Sequence, residues 1–513
     1  MPFTFTRRAI LAAATACTSL GLSLATPADA AENVLTVAWP QDIFDWDPAK
    51  AAGVEQVLFP NIYDLLVWAD PDSEEQFRPG LATEWSVDES GLVWTFKIRE
   101  GVKCHDGTDF TAEDAKVSIE RNAAGPVGFI WAAVEKAEAP DDYTLVLTTK
   151  YPANMPLFAS SSLGAYMFSS EATDEDFTEA KASFGTGPYM LRQHLPDQQL
   201  VIDRFPDYWG GPLKGGGFDR IVHRIAKEAS TRIQLLSSGE ADLAFDIPTD
   251  QIESVSAGGD VKAVSFPTWQ MGFWYVNNKI APTDNIHVRR AIQHLWDRKT
   301  VSEGIYNGYT TPAIGPLAAS QPGAVDLNLP DFSIEAAKAE LAESGLSSDE
   351  LKITVAYFTQ SDEMKNDAVL FQANAAQAGL TVELTPNDWG TLWAAAQDER
   401  TASNMLSMFW GPIISSPADL LYSAFYSEEK LFNLSMYQSD EYDAKLLEAM
   451  SIEATDIKAG QAAYADAMRI LVQDAAAVWD QDLNFVVGYR ADLNGVGYNP
   501  AYSRAIFFDP ITE

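Results

Sequence analysis

The side chains with most chemical reach in this chain are five His, two Cys, 73 acids and 14 Trp. The His stand at 105, 194, 223, 287 and 294, and none falls in the HExxH spacing that turns two imidazoles toward one metal. His287 and His294 lie seven apart in one helical stretch, beside Arg289 and Arg290, and read as ordinary helix residues; no metal is called for. No Gly-x-Ser-x-Gly elbow is present. "GGPLKGGG" lacks the Ser/Thr and the following helix of a phosphate loop, and reads as a surface turn. Cys104 is a nucleophile in principle and an inert, half-buried thiol beside a strand on the plainer reading. Asp45 and Asp47 in "FDWDP" make a glycosidase pair by count alone. The Trp residues are the better lead, because each offers a flat face for stacking and one N–H donor, which suits a binding cleft.

Charge narrows the partners. The net charge is -38, from 35 Lys plus Arg against 73 Asp plus Glu. Nucleic acid and an anionic membrane surface both need a basic face and are excluded as expected partners. Against this acidity, "MFWGPIISSPAD" at 408–419 carries one charge, Asp419.

The first thirty residues read as an export signal. Arg7 and Arg8 precede a short Ala-rich apolar run, and Ala28-Asp29-Ala30 is a small-x-small cleavage site. The twin Arg resembles a Tat-type leader; an ordinary secretory leader and lipidation at Cys17 are the alternatives. Cleavage would leave Cys104 without a disulfide partner. No later segment approaches the ~18 apolar residues of a membrane span, so a soluble mature protein is expected.

The elements that must position any site mix helix and strand. "LVWTFKIREG" alternates, with Leu92, Trp94, Phe96 and Ile98 on one face of a half-buried strand. "DDYTLVLTTK" predicts a strand entered by a turn at Asp141-Asp142. "TAEDAKVSIERN" predicts a helix in which Thr111 and Asp114 form a capping box. "STRIQLLSSGEADLAFDIP" predicts a helix opened by Ser230, a stop at Gly239, then a strand. "DNIHVRRAIQHLWDR" puts Val288, Ala291, Ile292, Leu295 and Trp296 on one helical face, capped by Asp284 or Asn285. "SIEAAKAELAESG" predicts a helix from Ser333 to a Gly345 stop. At 513 residues the chain is too long for one core, and the mixture predicts α/β lobes.

"GLATEWSVDESGLVWTFKIREGVKCHDGTDFTAEDAKVSIER" resembles the signature of solute-binding protein family 5, the extracytoplasmic receptors of peptide- and nickel-type ABC transporters. "FGTGPY" at 184–189, "FPDYWGG" at 205–211, "SGEADLAFDIP" and "VNNKIAPTDNIHVRRAIQHLWDRKTV" resemble further landmarks of that family, in order. The resemblance implies a type II periplasmic binding protein clamshell of α/β class, two lobes with an extra inserted domain. It divides the chain into a leader at 1–30, lobe I at 32–55, 185–268 and 482–513, an insert at 56–184, and lobe II at 269–481. It implies a monomeric, non-enzymatic receptor without cofactor, working with membrane permease subunits on a peptide-like, sugar or other small solute. A periplasmic hydrolase of peptides or glycosides is the alternative.

The same resemblance places Trp46, Trp269, Trp389 and Trp410 around the cleft, with Gln270 and Asn277 beside the lobe crossing as neutral hydrogen-bonding groups. In peptide-binding relatives the 410–417 stretch resembles Trp-x-x-Asp-x-x-Asp-Pro, whose first Asp pairs with the peptide's amino terminus. Here Ile413 and Ser416 stand at the two Asp positions, with Ser415 beside them. A buried ammonium without a paired carboxylate costs several kcal/mol. The expectation is a cleft that does not select a free α-amine, unless another acid such as Asp419 substitutes.

Overall fold

Apolar runs such as "VLTVAW" at Val34–Trp39 form strands buried on both faces, as a parallel sheet covered by helices demands. The computed structural model describes residues 33–51, 53–179, 183–211, 217–502 and 504–513. The leader, with Arg7, Arg8, Cys17 and Ala28-Asp29-Ala30, lies outside the described residues, as does most of "GGPLKGGG".

One large sheet holds eleven strands, numbered here along the chain: β1 Val34–Trp39, β2 Tyr189–Leu195, β3 Gln199–Arg204, β4 Arg220–Ile225, β5 Leu243–Phe245, β6 Val261–Val276, β7 Thr311–Pro312, β8 Lys352–Phe358, β9 Thr381–Asn387, β10 Met405–Trp410 and β11 Ala477–Arg490. Their spatial order is β2-β3-β4-β1-β5-β11-β6-β10-β8-β9, with β7 beside β11. In one half β1 runs parallel to β4 and β5. In the other, β8 runs parallel to β9 and β10. The long antiparallel pair β6 and β11 joins the halves, from Val261 opposite Arg490 to Tyr275 opposite Ala477. Its register shifts between Pro267 and Met271, and Pro267 sits at that irregularity, where a missing N–H does least harm.

The packed cores change along this pair. Trp269 and Phe485 belong to a core built from residues 35–269 and 485–511. Met271 and Trp479 belong to a second core drawn from 271–479. Residues of the 56–184 stretch share the first core and add a four-stranded antiparallel sheet, in the order Ala82–Val87, Val93–Ile98, Thr144–Thr149, Val134–Asp141. In Val93–Ile98 the alternation holds, with Trp94, Phe96 and Ile98 buried and Lys97 exposed.

Local signals set the helix ends. Thr111 and Asp114 form the capping box of Ala112–Ala124. Asn285, not Asp284, caps Ile286–Leu295, and Ser333 caps Ile334–Glu343. The helix expected to open at Ser230 begins one residue earlier, at Ala229, and stops at Gly239 in a left-handed conformation. Cys104 is fully buried rather than half-buried, and burial pushes its thiol well above the ordinary range.

The "FGTGPY" turn has an architectural cause. A Cβ at Gly185 would stand 2.1 Å from the Ile62 carbonyl oxygen, and one at Gly187 would stand 2.6 Å from the Ile62 carbonyl carbon. Between them the Thr186 hydroxyl donates to Asp64 (3.0 Å). Trp209 of "FPDYWGG" donates its indole N–H to the same carboxylate (2.7 Å), and Arg99 lies over its ring. Asp64 thus ties two distant turns together.

Candidate functional site

Strand direction locates the site. β5 is antiparallel to β11, and its C-terminal Phe245 lies opposite Val487, on the side toward the second core. β1 and β4 run with β5, so these three of the first half's five strands end toward the second half. In the second half Trp410, at the end of β10, lies opposite Met271, where the cores change. β8 and β9 run with β10 and end on the same rim. Both halves therefore present the C-terminal ends of parallel strands to one gap, the place where open α/β sheets hold ligands.

On the first rim, the loop after β1 is pinned from within. Trp46 donates its indole N–H to His194 Nδ1 (3.2 Å), which leaves Nε2–H to donate to Asp42 (2.9 Å). Asp42 also accepts the Ile43 and Asp197 amides, and Glu55 accepts those of Phe44, Asp45 and Gly53. Trp46 is buried against Phe59, while Phe44, two residues earlier, is 77% exposed. Asp47 is buried and ion-paired to Arg121 (2.6 Å) and Lys50 (3.0 Å). These partners hold its carboxyl below the usual range despite the opposing effect of burial.

The second rim is aromatic. Phe358 ends β8, and Asp388 caps the helix Trp389–Ala396 and so fixes Trp389 at its first turn. Phe409 and Trp410 end β10. Their rings join in a row: Phe358 to Trp389 at 4.9 Å, Trp389 to Trp393 at 5.1 Å, Trp393 to Phe432 at 5.0 Å, and Phe432 to Trp410 at 5.3 Å. Phe409 flanks Phe358 at 6.5 Å. Trp389 is 40% and Phe409 47% exposed, and Trp393, Phe432 and Trp410 are half-buried.

The low-charge loop that follows reaches back to the first half. Ile413 and Ile414 pack on the first core, and the Ile413 carbonyl accepts the Ser162 amide (3.0 Å). Asp419 is buried beneath it and accepts the Trp410 N–H (2.6 Å) and the Ile413 and Ile414 amides. Burial raises its carboxyl to about 7. Ser415 and Ser416 are buried; Ser416 donates to Glu453 (2.7 Å), as does the Tyr464 hydroxyl (2.7 Å). Burial also raises Glu453 to about 7.

The remaining sequence-derived residues are scattered. Trp269 is buried, its N–H donated to the Ser320 carbonyl. Gln270 is half-buried at the lobe crossing. Asn277 is buried in the second half, its carbonyl accepting the Lys279 and Ile280 amides in a turn. Trp389, Trp410, Ile413 and Asp419 are brought together; Trp46 stands on the opposite half. Phe44, Phe358, Phe409, Trp393 and Phe432 were not singled out by sequence. Phe358 and Phe409 share one feature, an aromatic at or next to the end of a parallel strand that sequence had not identified.

Among the described residues no three His, Cys, Asp or Glu side chains are grouped to hold a metal ion. His287 faces Glu340 (2.7 Å) and His294 the Asp331 carbonyl (3.0 Å). A surface cavity of about 520 Å³, lined by Lys103, Arg204, Asp207 and Tyr208, lies elsewhere. β3 is antiparallel to β4, so Arg204 sits at the end of the sheet away from the gap.

The model for bacterial extracellular solute-binding proteins, family 5 middle, matches residues 76–432. The probable D,D-dipeptide-binding periplasmic protein DdpA of Escherichia coli K12 is 26% identical over 501 residues, covering 94% of this chain and 95% of that protein. Among solved structures, NikA from Brucella suis in complex with Fe(III)-EDTA superposes with a TM-score of 0.83 at 22% identity, covering 93% of this chain and 99% of that one. The periplasmic binding protein DppA from Helicobacter pylori, bound to the peptide STSA, gives 0.76 at 24% identity, covering 93% and 98%. These likenesses fix the fold as the type II clamshell.

Proposed function

Because the chain belongs to the bacterial extracellular solute-binding proteins of family 5, we propose that it captures one small solute between two lobes and delivers it to the permease subunits of an ABC importer. The observation that carries this reading is the convergence of both sets of parallel-strand ends on one gap, spanned by the long β6–β11 pair. Lobe I is taken as 32–55, 185–268 and 482–513, the insert as 56–184 and lobe II as 269–481, with β6 and β11 as the hinge. The leader directs export, and the receptor acts outside the cytoplasmic membrane as a monomer. Trp389 and Phe409 of lobe II and Phe44 of lobe I are the proposed contacts, since Trp46 and Trp269 have their N–H groups engaged internally.

The solute carries no obligatory free α-amine. Ile413 and Ser416 supply no charge, and Asp419 is closed off beneath Trp410 and two loop amides. Binding energy for closure must come from differential affinity for the closed state. Small-angle scattering on the exported chain, stripped of solute and then resaturated with the molecule released from it, tests the reading. A smaller radius of gyration on resaturation supports it; an unchanged radius counts against capture between moving lobes.

A further inference from the structure

We infer that His194 is a positioning residue for the first rim, and that a second proton on its imidazole releases Trp46 and with it the loop that presents Phe44. This rests on the receptor reading above, in which Phe44 faces the gap. The hydrogen bond between the two rings is one that a single protonation state allows. An indole N–H donates and cannot accept. Trp46 Nε1 stands 3.2 Å from His194 Nδ1, so Nδ1 carries no proton and the one ring proton is on Nε2. Nε2 lies 2.9 and 3.1 Å from the two Asp42 oxygens. A second proton must therefore go to Nδ1. Two N–H groups then point at each other inside a buried contact, since Trp46 is 6% exposed and the His194 side chain 12%.

The surroundings favour such a change. Histidine is the side chain whose charge ordinarily changes between about pH 5 and 8. Asp42 touches the imidazole and accepts from Nε2 in either state, so it steadies the second proton. Asp42 is itself held by the Ile43 amide (2.8 Å) and the Asp197 amide (2.7 Å), and the Asp197 carboxylate pairs with Lys227 (2.7 Å). Opposite His194 on β3 is the apolar Leu200, and beyond it on β4 His223 packs between Trp39 and Phe508. Around the loop, Asp47 pairs with Arg121 and Lys50, Glu55 holds the Phe44, Asp45 and Gly53 amides, and the Tyr63 hydroxyl donates to the Trp46 carbonyl (3.4 Å). Of these contacts, only that between Trp46 and His194 turns from attraction to repulsion with the imidazole proton. Trp46 then leaves its place against Phe59, and Phe44, two residues earlier and 77% exposed, moves with it. The rim presents Phe44 in neutral surroundings and loses it in acid.

The test is NMR on the exported full chain, stripped of bound solute and carrying isotope-labelled Trp or fluorinated Phe. The Trp46 indole signal is identified by its loss in Trp46→Phe, and the Phe44 signal by its loss in Phe44→Leu. Between about pH 8 and about pH 5 the Trp46 signal should move upfield, as a hydrogen-bonded N–H does on release, and exchange faster with water. The Phe44 signal should shift over the same range. His194→Gln offers one acceptor and one donor at fixed protonation, and should hold both signals constant. His194→Phe lacks the acceptor and should show the released indole signal at every pH. A Trp46 signal that stays still in the parent overturns the switch, and so does one that moves equally in His194→Gln; the parent titration decides even if a variant does not fold. A Trp46 signal that moves while that of Phe44 does not overturns the positioning role. No solute is present, so each of these failures leaves the receptor reading standing, with scattering as its own test.

Discussion

Glu453 shows how one residue couples the cleft loop to pH. Its carboxyl is buried, accepts from Ser416 and Tyr464 through one oxygen, and titrates near 7 rather than near 4.5. The folded state therefore holds its proton more tightly than the unfolded chain. Stability from this group is fully present below about 4.5 and is lost as pH rises toward 7. The loss is on the order of 3 kcal/mol, at about 1.4 kcal/mol per pKa unit. Glu453→Gln should flatten that part of the stability profile between pH 5 and 8 in denaturant titrations. An unaltered slope would show that the carboxyl titrates normally. Asp419 behaves with the same sign, and Asp419→Asn should also loosen the Trp410 indole that it accepts. Emission from that loop should shift to the red. At this scale the sequence was only partly legible. It singled out Trp46 from "FDWDP", yet the loop turns Phe44 outward and Trp46 inward, because the His194–Asp42 pair captures the indole N–H. No local pattern announces a partner 148 residues away. Glu453 is likewise remote from the loop that it holds.

Elements were easier to read than contacts. Alternation found Val93–Ile98, and side-chain caps marked three helices within a residue or two. Thr111→Ala should cost the insert about 1 kcal/mol, visible as a lower melting temperature with solute affinity unchanged. The two joining strands were not legible as strands. β6 contains Pro267, which argues against a continuous strand until the register shift beside it is known. β11 carries "DQD" in mid-strand, polar residues that periodicity assigns to a loop. They are buried because each has a partner: Asp480 accepts the Trp296 N–H, Gln481 donates to the Arg298 carbonyl, and Asp482 accepts the Ala319 amide. Asp482→Leu should destabilise the fold by about 1 kcal/mol, since it removes the hydrogen bond that the Ala319 amide donates. Chemical denaturation would register it as a lower midpoint with an unchanged slope.

For the whole molecule, the contacts between the 56–184 stretch and the second half act together. Gln76 and Gln461 exchange amide hydrogen bonds (2.9 and 2.8 Å), Asn154 donates to the Glu453 carbonyl (3.3 Å), and Ser162 donates to that of Ile413 (3.0 Å). These contacts join the 56–184 stretch to the second half independently of the β6–β11 pairing. Gln461→Ala should remove about 1 kcal/mol from the closed arrangement and weaken solute binding about fivefold, mostly through faster dissociation in stopped-flow measurements. The central claim is that the chain binds a solute and leaves it unchanged. Native mass spectrometry of the exported protein tests it most directly, followed by release of the bound molecule, re-addition to stripped protein, overnight incubation and a second weighing. The account predicts a one-to-one complex and an identical released mass on both occasions. A product of different mass, accumulating with time and protein concentration, would contradict it.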